Sequence, residues 1–143
     1  GAKMVNAVAN SVVPKFTIIT GNSFGAGNYA MCGKAYDPRL IVSWPWAELA
    51  VMGGTQAAKV LVQIQESALK KQGKRISEEK HQQLMEKITQ NYTKQTKSEY
   101  SAARIWVDAI INPLDTRKWI STGIEAANHS PITDKFNLGI IQV

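Results

Sequence analysis

The stretch Ser23–Gly33, SFGAGNYAMCG, decides how the fold of this chain is interpreted. It follows the apolar segment Phe16–Ile19 and leads into the small residues of Ala26–Met31. A buried strand, a glycine-lined turn and a short helix capped at its end by Gly33 are therefore predicted here.

The glycines of this turn indicate a close approach of the main chain to another molecule. Gly21, Gly25 and Gly27 present no Cβ atom to a neighbour. The first N–H groups of a helix lack carbonyl partners, so they can bind phosphate or stabilise an oxyanion. The spacing matches neither the G-x-G-x-x-G nucleotide motif nor a P-loop. Two interpretations stay open, an oxyanion hole and a tight packing turn.

Composition is that of one globular domain. The chain has 143 residues, 44% of them hydrophobic and 20% charged, with no apolar run long enough for a membrane helix. The single Cys32 excludes an intrachain disulfide and fits a reducing compartment. The opening Gly-Ala-Lys-Met-Val shows no signal-peptide pattern, and we expect the chain to be a piece of a longer protein.

The net charge of +6 is concentrated in one segment. Residues 70–99 hold eight basic and four acidic side chains, and Tyr92 is the one Phe, Trp or Tyr among them. Mixed signs and sparse aromatics favour a solvated helical hairpin over a nucleic-acid-binding surface.

Alternating strand and helix patterns predict an α/β fold with parallel strands. The predicted strands are Lys15–Thr20, Arg39–Trp44, Glu48–Met52 and Asp108–Ile111, and the tail Asn137–Val143 is expected to be extended. The predicted helices are Ala2–Ala9, one from Gly54 with an apolar face of Ala57, Ala58, Val60, Leu61, Ile64 and Ala68, one from Ser77 to about Lys94, Glu99–Trp106, and one capped by Asn112 that ends near Asn128.

No set of nucleophile, base and orienting group can be assembled from the sequence. His81 and His129 lack ligand-type neighbours, so no metal is expected, and Cys32 is interpreted as a buried, unreactive thiol. Asp108 and Asp115 are either an acid–base pair or structural, and Arg117 near Asp115 favours a structural ion pair or cap. A catalytic domain of this kind would act by positioning and by backbone electrostatics.

Four segments resemble one protein family. They are GAKMV, GNSFGAGNYAMCGKAYDPRL, SWPWAELAVMGGTQAA and SAARIWVDAIINPLDTR, and together they resemble the carboxyltransferase (β) subunit of biotin-dependent acyl-CoA carboxylases. Within that family GAGNY resembles the methylcrotonoyl-CoA branch, whereas propionyl-CoA relatives have GGAYD. The resemblance identifies residues 1–143 as the C-terminal part of a carboxyltransferase domain.

The resemblance implies a crotonase/ClpP-like β-β-α superhelix and carboxyl transfer from carboxybiotin to an acyl-CoA. It implies that the backbone N–H groups of Ala26 and Gly27 bind the biotin ureido oxygen. The flanking Phe24, Gly25 and Asn28 are expected at the biotin and substrate site. Tyr29 falls where relatives have a residue that helps to select the acyl group.

Further expectations follow from the same resemblance. Biotin and a coenzyme A thioester are expected without a metal, together with biotin carboxylase and biotin carboxyl carrier partners. A homo-oligomer is expected, a hexamer in the full-length family, with no membrane or nucleic-acid partner, in the cytoplasm of a bacterium or the mitochondrial matrix of a eukaryote. Trp46 and Glu48 depart from the usual family residues, and Ala26-Gly27 stands where some relatives have Gly-Ala.

Two alternatives stay open beside carboxylation of a branched or unsaturated acyl-CoA. The site can belong to a biotin-dependent decarboxylase of the glutaconyl-CoA type, which uses the same chemistry in reverse. The second alternative is that the chain by itself acts only as an oligomerisation module. With half of each active site missing, the chain alone is expected to be inactive.

Overall fold

The computed structural model describes residues 1–73 and 77–130. The helices are α1 (Ala2–Asn10), α2 (Gly25–Ala30), α3 (Gly54–Lys71), α4 (Glu78–Thr96), α5 (Ser98–Ala102) and α6 (Thr116–Asn128). The strands are β1 (Phe16–Ile19), β2 (Asn22–Phe24), β3 (Leu40–Ser43), β4 (Glu48–Ala50) and β5 (Ala109–Ile110), with short 3-10 turns at Lys34–Tyr36 and Pro113–Asp115.

The strands form two separate parallel sheets. The first has the order β1-β3-β5, with Phe16 opposite Leu40 and Val42 opposite Ala109. The second pairs β2 with β4, with Ser23 opposite Leu49. The chain therefore runs strand, strand, helix twice, as β1-β2-α2 and then β3-β4-α3. This β-β-α repeat agrees with the predicted fold class.

Strand β2 is a correction to the sequence prediction, which treated residues 22–24 as part of the glycine-lined turn. The segment has three residues and a mostly polar, half-exposed pattern, so it carries no periodic signal. The predicted third strand, β4, pairs with β2 and so belongs to the second sheet.

The core lies where the two sheets meet. Ile19 and Ile41 from the first sheet pack with Leu49 from the second, and Ala47 and Val107 complete the cluster. All five are almost fully buried. The β-branched run of β3 suits this position because Ile41, Val42 and Ser43 are all buried, so both faces of this strand are covered, whereas in β1 only Ile19 is buried.

Helices α3 and α4 form the predicted helical hairpin. His81 Nε2 lies 3.5 Å from Glu66 Oε1 across it, and most other charged side chains of α4 are exposed. The predicted apolar face of α3 is only partly correct. Ala57, Ala58 and Val62 are buried, whereas Val60, Leu61 and Ile64 are exposed.

Several predicted ends differ from the structure. Helix α2 ends before Gly33, because its C-cap is Met31 and Cys32 has the left-handed φ of 64°. The helix predicted over Glu99–Trp106 is the shorter α5, and the strand predicted over Asp108–Ile111 is reduced to β5. The extended tail predicted for Asn137–Val143 lies outside the described residues.

Candidate functional site

The turn into α2 depends on an unusual conformation of Gly25. Its φ of +55° lies in the left-handed region, where a side chain is strained. A Cβ atom there would also lie 2.8 Å from the carbonyl oxygen of Val51, which follows β4. The close approach at Gly25 is therefore to the main chain of the second β-β-α unit, which agrees with the packing-turn interpretation, and an approach to another molecule stays a prediction.

The first backbone amides of α2 are free of side-chain caps. Phe24 is the N-cap residue and has no side-chain hydroxyl or carboxylate to offer, and no capping hydrogen bond is formed. The N–H groups of Ala26 and Gly27 lie in the first turn, where a helix supplies no carbonyl partner. Both residues are exposed, so these amides lie at the surface of the described chain.

Asn28 is fixed by neighbours on both sides. Its Oδ1 accepts a hydrogen bond from Ser23 Oγ at 3.2 Å, and its backbone oxygen accepts one from the Gly33 N–H at 2.8 Å. A Cβ at Gly33 would lie 2.9 Å from both of these Asn28 oxygens. Gly33 is therefore required for close packing and is not the predicted helix cap, which is Met31.

A cavity of about 360 Å³ opens beside this turn. One wall comes from the α2 region and the other from β4, the end of α4 and the residues after α5. Its lining residues are Gly25, Asn28, Tyr29, Lys34, Ala35, Ile41, Leu49, Ala50, Val51, Tyr92, Gln95, Thr96, Tyr100 and Trp106. Of the predicted site residues, Gly25, Asn28 and Tyr29 line it, whereas Phe24, Ala26 and Gly27 are adjacent in sequence but do not.

Tyr29 presents its ring on the cavity wall. Its residue surface is 48% exposed, and the ring packs edge-on against Tyr36, with 6.1 Å between centroids. An aromatic ring with one packed edge and one open side can limit the shape of a ligand in the cavity.

The opposite wall is aromatic, and sequence reasoning did not assign it. Tyr100 and Trp106 pack edge to face with centroids 6.0 Å apart, and the Arg104 guanidinium lies 3.3 Å from the centre of the Tyr100 ring. Ile105 between them has φ 59°, a strained value for a β-branched residue. Tyr92 also lines this wall. Its position as an isolated aromatic residue in a polar segment was the one feature of the sequence that could have indicated the wall.

A charged pair stands at the edge of the cavity. Lys34 Nζ donates to Asp108 Oδ1 at 3.0 Å, and the Ile41 N–H donates to Asp108 Oδ2 at 2.9 Å. Partial burial raises the pKa of the Asp108 carboxyl, but the Ile41 N–H and the Lys34 ammonium lower it by more, so the net pKa lies below the usual value. Asp108 is therefore a structural carboxylate, as predicted, although its partner is Lys34.

Several further features are seen within residues 1–73 and 77–130. Cys32 is buried, and no group of three potential metal ligands occurs in this part of the chain. Asn112 caps the 3-10 turn that precedes α6 by accepting from the Leu114 N–H. The predicted Asp115–Arg117 ion pair does not form between these two described residues. None of the described helices has the length and apolar character needed to cross a bilayer.

Comparison with known proteins gives a consistent result. A family model described as carboxyl transferase domain matches residues 1–138. The probable methylcrotonoyl-CoA carboxylase beta chain, mitochondrial, of Drosophila melanogaster is 48% identical over 139 residues, 96% of this chain and 24% of that protein. The methylcrotonoyl-CoA carboxylase beta chain, mitochondrial, of Arabidopsis thaliana is 48% identical over 134 residues, 94% of this chain and 23% of that protein.

Solved structures agree with the fold. The beta subunit of P. aeruginosa geranyl-CoA carboxylase superposes with a TM-score of 0.80 at 34% identity, covering 99% of this chain and 26% of that one. This confirms the predicted crotonase-like α/β architecture and the resemblance on which it rested. The chain spans about a quarter of the length of these relatives.

Proposed function

Because the chain belongs to the carboxyl transferase domain family, we propose that it is the C-terminal part of a carboxyltransferase subunit that moves a carboxyl group from carboxybiotin to an acyl-CoA. The observation that carries the proposal is the turn at Gly25–Tyr29, of which Gly25, Asn28 and Tyr29 line a mainly apolar cavity. The chain that contains it matches the family over nearly its whole length. A mainly apolar cavity with a few polar groups suits a bicyclic cofactor and an acyl chain.

The proposed catalytic groups are the backbone N–H donors of Ala26 and Gly27. When bound, biotin supplies the carboxyl group and, after giving it up, the base that takes the substrate proton. The two donors would hydrogen-bond the ureido oxygen and stabilise the negative charge that develops on it. Gly25 supports this role because its left-handed conformation sets the direction of the next two amides. Phe24 and Asn28 would frame the same biotin site.

We assign acyl selection to Tyr29 and propose 3-methylcrotonoyl-CoA as the substrate. The two relatives at 48% identity carry that substrate in their names, and the Tyr29 ring stands on the cavity wall. A biotin carboxylase and a biotin carboxyl carrier are the proposed partners, in a hexamer located in the cytoplasm of a bacterium or the mitochondrial matrix of a eukaryote.

A panel of thioesters tests the function. The complete subunit that carries this chain is combined with its biotinylated partner and supplied with 3-methylcrotonoyl-, propionyl-, acetyl- and glutaconyl-CoA. The proposal predicts the highest kcat/KM for 3-methylcrotonoyl-CoA. Decarboxylation of glutaconyl-CoA without carboxylation of any acceptor would instead assign the subunit to a biotin-dependent decarboxylase, and inactivity on every thioester would refute carboxyl transfer.

The donor at Gly27 is tested by removing its N–H group. Gly27→Pro deletes this donor, and the loss of one oxyanion donor lowers kcat by about 100- to 1,000-fold. Gly27→Ala is the matched control because it keeps the N–H and its Cβ meets no atom within 4 Å. Near-normal transfer by a folded, correctly assembled Gly27→Pro enzyme would refute the assignment.

A further inference from the structure

Lys34 bears the one formal charge among the cavity-lining residues of the described chain. The other lining residues are apolar, aromatic or neutral polar. Water screens part of the charge of this half-exposed side chain, so a direct hydrogen bond to an anionic group, rather than the charge alone, would decide its role. Lys34 is therefore the candidate for binding an anionic group in this cavity.

Asp108 determines where the Lys34 ammonium lies. One carboxylate oxygen accepts from Lys34 Nζ at 3.0 Å, and the other accepts from the Ile41 N–H at 2.9 Å. The Asp108 N–H in turn donates to the Ile41 oxygen at 2.7 Å. Asp108 is thereby fixed to β3 at both its backbone and its side chain, and it holds the lysine in one place.

The ammonium keeps unused hydrogen-bonding capacity. A lysine has three N–H donors, and Asp108 takes one of them. The Lys34 side chain is 44% exposed, so its remaining donors are accessible from outside. The ion pair as a whole is neutral. A ligand without a carboxylate therefore gains little from it, whereas a carboxylate within hydrogen-bonding distance gains a charge-assisted bond.

We propose that Lys34, oriented by Asp108, binds the carboxylate group that is transferred, and so distinguishes carboxylated from uncarboxylated ligands. This inference rests on the proposed function. In that reaction the carboxylate is present on carboxybiotin at the start and on the acyl-CoA product at the end. Biotin and the acceptor acyl group lack it.

Lys34→Met should weaken the binding of carboxylated ligands in both directions of the reaction. A variant leaves the equilibrium constant of the reaction unchanged. This requirement is met when binding of both carboxylated ligands, one on each side of the reaction, weakens to the same extent. The variant should raise the KM for carboxybiotin and the KM for the carboxylated acyl-CoA by about tenfold or more. The KM for the uncarboxylated acyl-CoA and the KM for biotin should stay the same.

The experiment measures both directions with the complete subunit and its holo partner. The forward assay uses 3-methylcrotonoyl-CoA, and the reverse assay uses free biotin with the carboxylated acyl-CoA that the forward reaction makes. Lys34→Arg keeps the charge and should restore low KM values for the carboxylated ligands. Asp108→Asn keeps an acceptor oxygen but loses the charge that positions the ammonium, so it should raise the same two KM values, by less than Lys34→Met does, and leave the KM values for the uncarboxylated ligands unchanged.

Two results would overturn the inference, and they are distinguishable. If Lys34→Met and Asp108→Asn lower Tm alike and affect all four ligands equally, the ion pair is only structural, while carboxyl transfer by the wild type still stands. If the wild-type enzyme transfers no carboxyl group to or from any thioester, the proposed function fails and this inference fails with it.

Discussion

Gly25 and Gly27 lie two positions apart in one turn, but only Gly25 has surroundings that exclude a side chain. Gly25 combines a φ of +55° with a Cβ direction blocked by the Val51 carbonyl at 2.8 Å. Gly27 has neither constraint. We expect Gly25→Ala to lower the free energy of unfolding by at least about 1–2 kcal/mol, because a left-handed residue with a Cβ is strained. Urea denaturation of both variants measures the difference.

Gly27→Ala is the matched control for this prediction. Alanine removes the conformational entropy disadvantage of glycine in a helix, so the variant should be unchanged or more stable by up to about 1 kcal/mol. Equal stability of the two variants would show that the Gly25 conformation is not required by the fold.

At single positions, the sequence predicted local structure best where the conformation depends on the backbone preferences of the residue itself. The Asn-Pro pair predicted the cap at Asn112. The glycine pattern left open a packing turn and an approach to another molecule, and the structure has the packing turn at Gly25. The Lys34–Asp108 pair could not be predicted, because its members are 74 positions apart and meet only once β5 has paired with β3. The assignments of Ala26, Gly27 and Tyr29 came from family resemblance and stay predictions.

At the scale of the elements, a buried hydroxyl of α5 hydrogen-bonds to the connection between the two sheets. Ser98 is fully buried, and its Oγ lies 2.9 Å from the Trp44 oxygen and 2.8 Å from the Ala47 oxygen. Residues 44–47 join β3 to β4, so this contact sets how the sheets are joined.

We expect Ser98→Ala to lower the free energy of unfolding by about 1–3 kcal/mol, because a buried carbonyl loses its donor. Ser67→Ala is the control, since the Ser67 hydroxyl is exposed and bonds only to Gln63 within α3. That variant should change stability by no more than about 0.5 kcal/mol. A similar small effect from Ser98→Ala in chemical denaturation would contradict the proposed role of this contact.

Helices and strands were predicted correctly where the hydrophobic pattern extends over many residues. The prediction failed where an element forms only because a distant strand pairs with it. Helices α3 and α4 have strong sequence patterns and were found near their predicted bounds, whereas β2 has three residues and exists because β4 pairs with it. The face that α3 buries was only partly predicted. The sequence favoured the largest apolar stripe, but Val62 contacts the core while Val60, Leu61 and Ile64 face outward.

At the scale of the whole molecule, apolar side chains remain exposed on several sides. Leu114 is 90% exposed, and the other large examples include Met31, Trp46, Val51, Ile64 and Ile105. Single exposed apolar residues are normal, but this many on a small chain indicates surface that another chain would cover. The proposed hexamer of a protein about four times as long supplies such a cover.

The 143-residue chain alone should therefore self-associate as its concentration rises. Its net charge of +6 opposes association at low salt, so adding salt should strengthen the interaction by screening repulsion between copies. Sedimentation velocity over a concentration series, at low and at high ionic strength, measures this directly, after circular dichroism has shown the chain to be folded. Weakening by salt would indicate charge pairing between copies, and a folded monomer at every concentration would show that the exposed residues do not form an interface between copies.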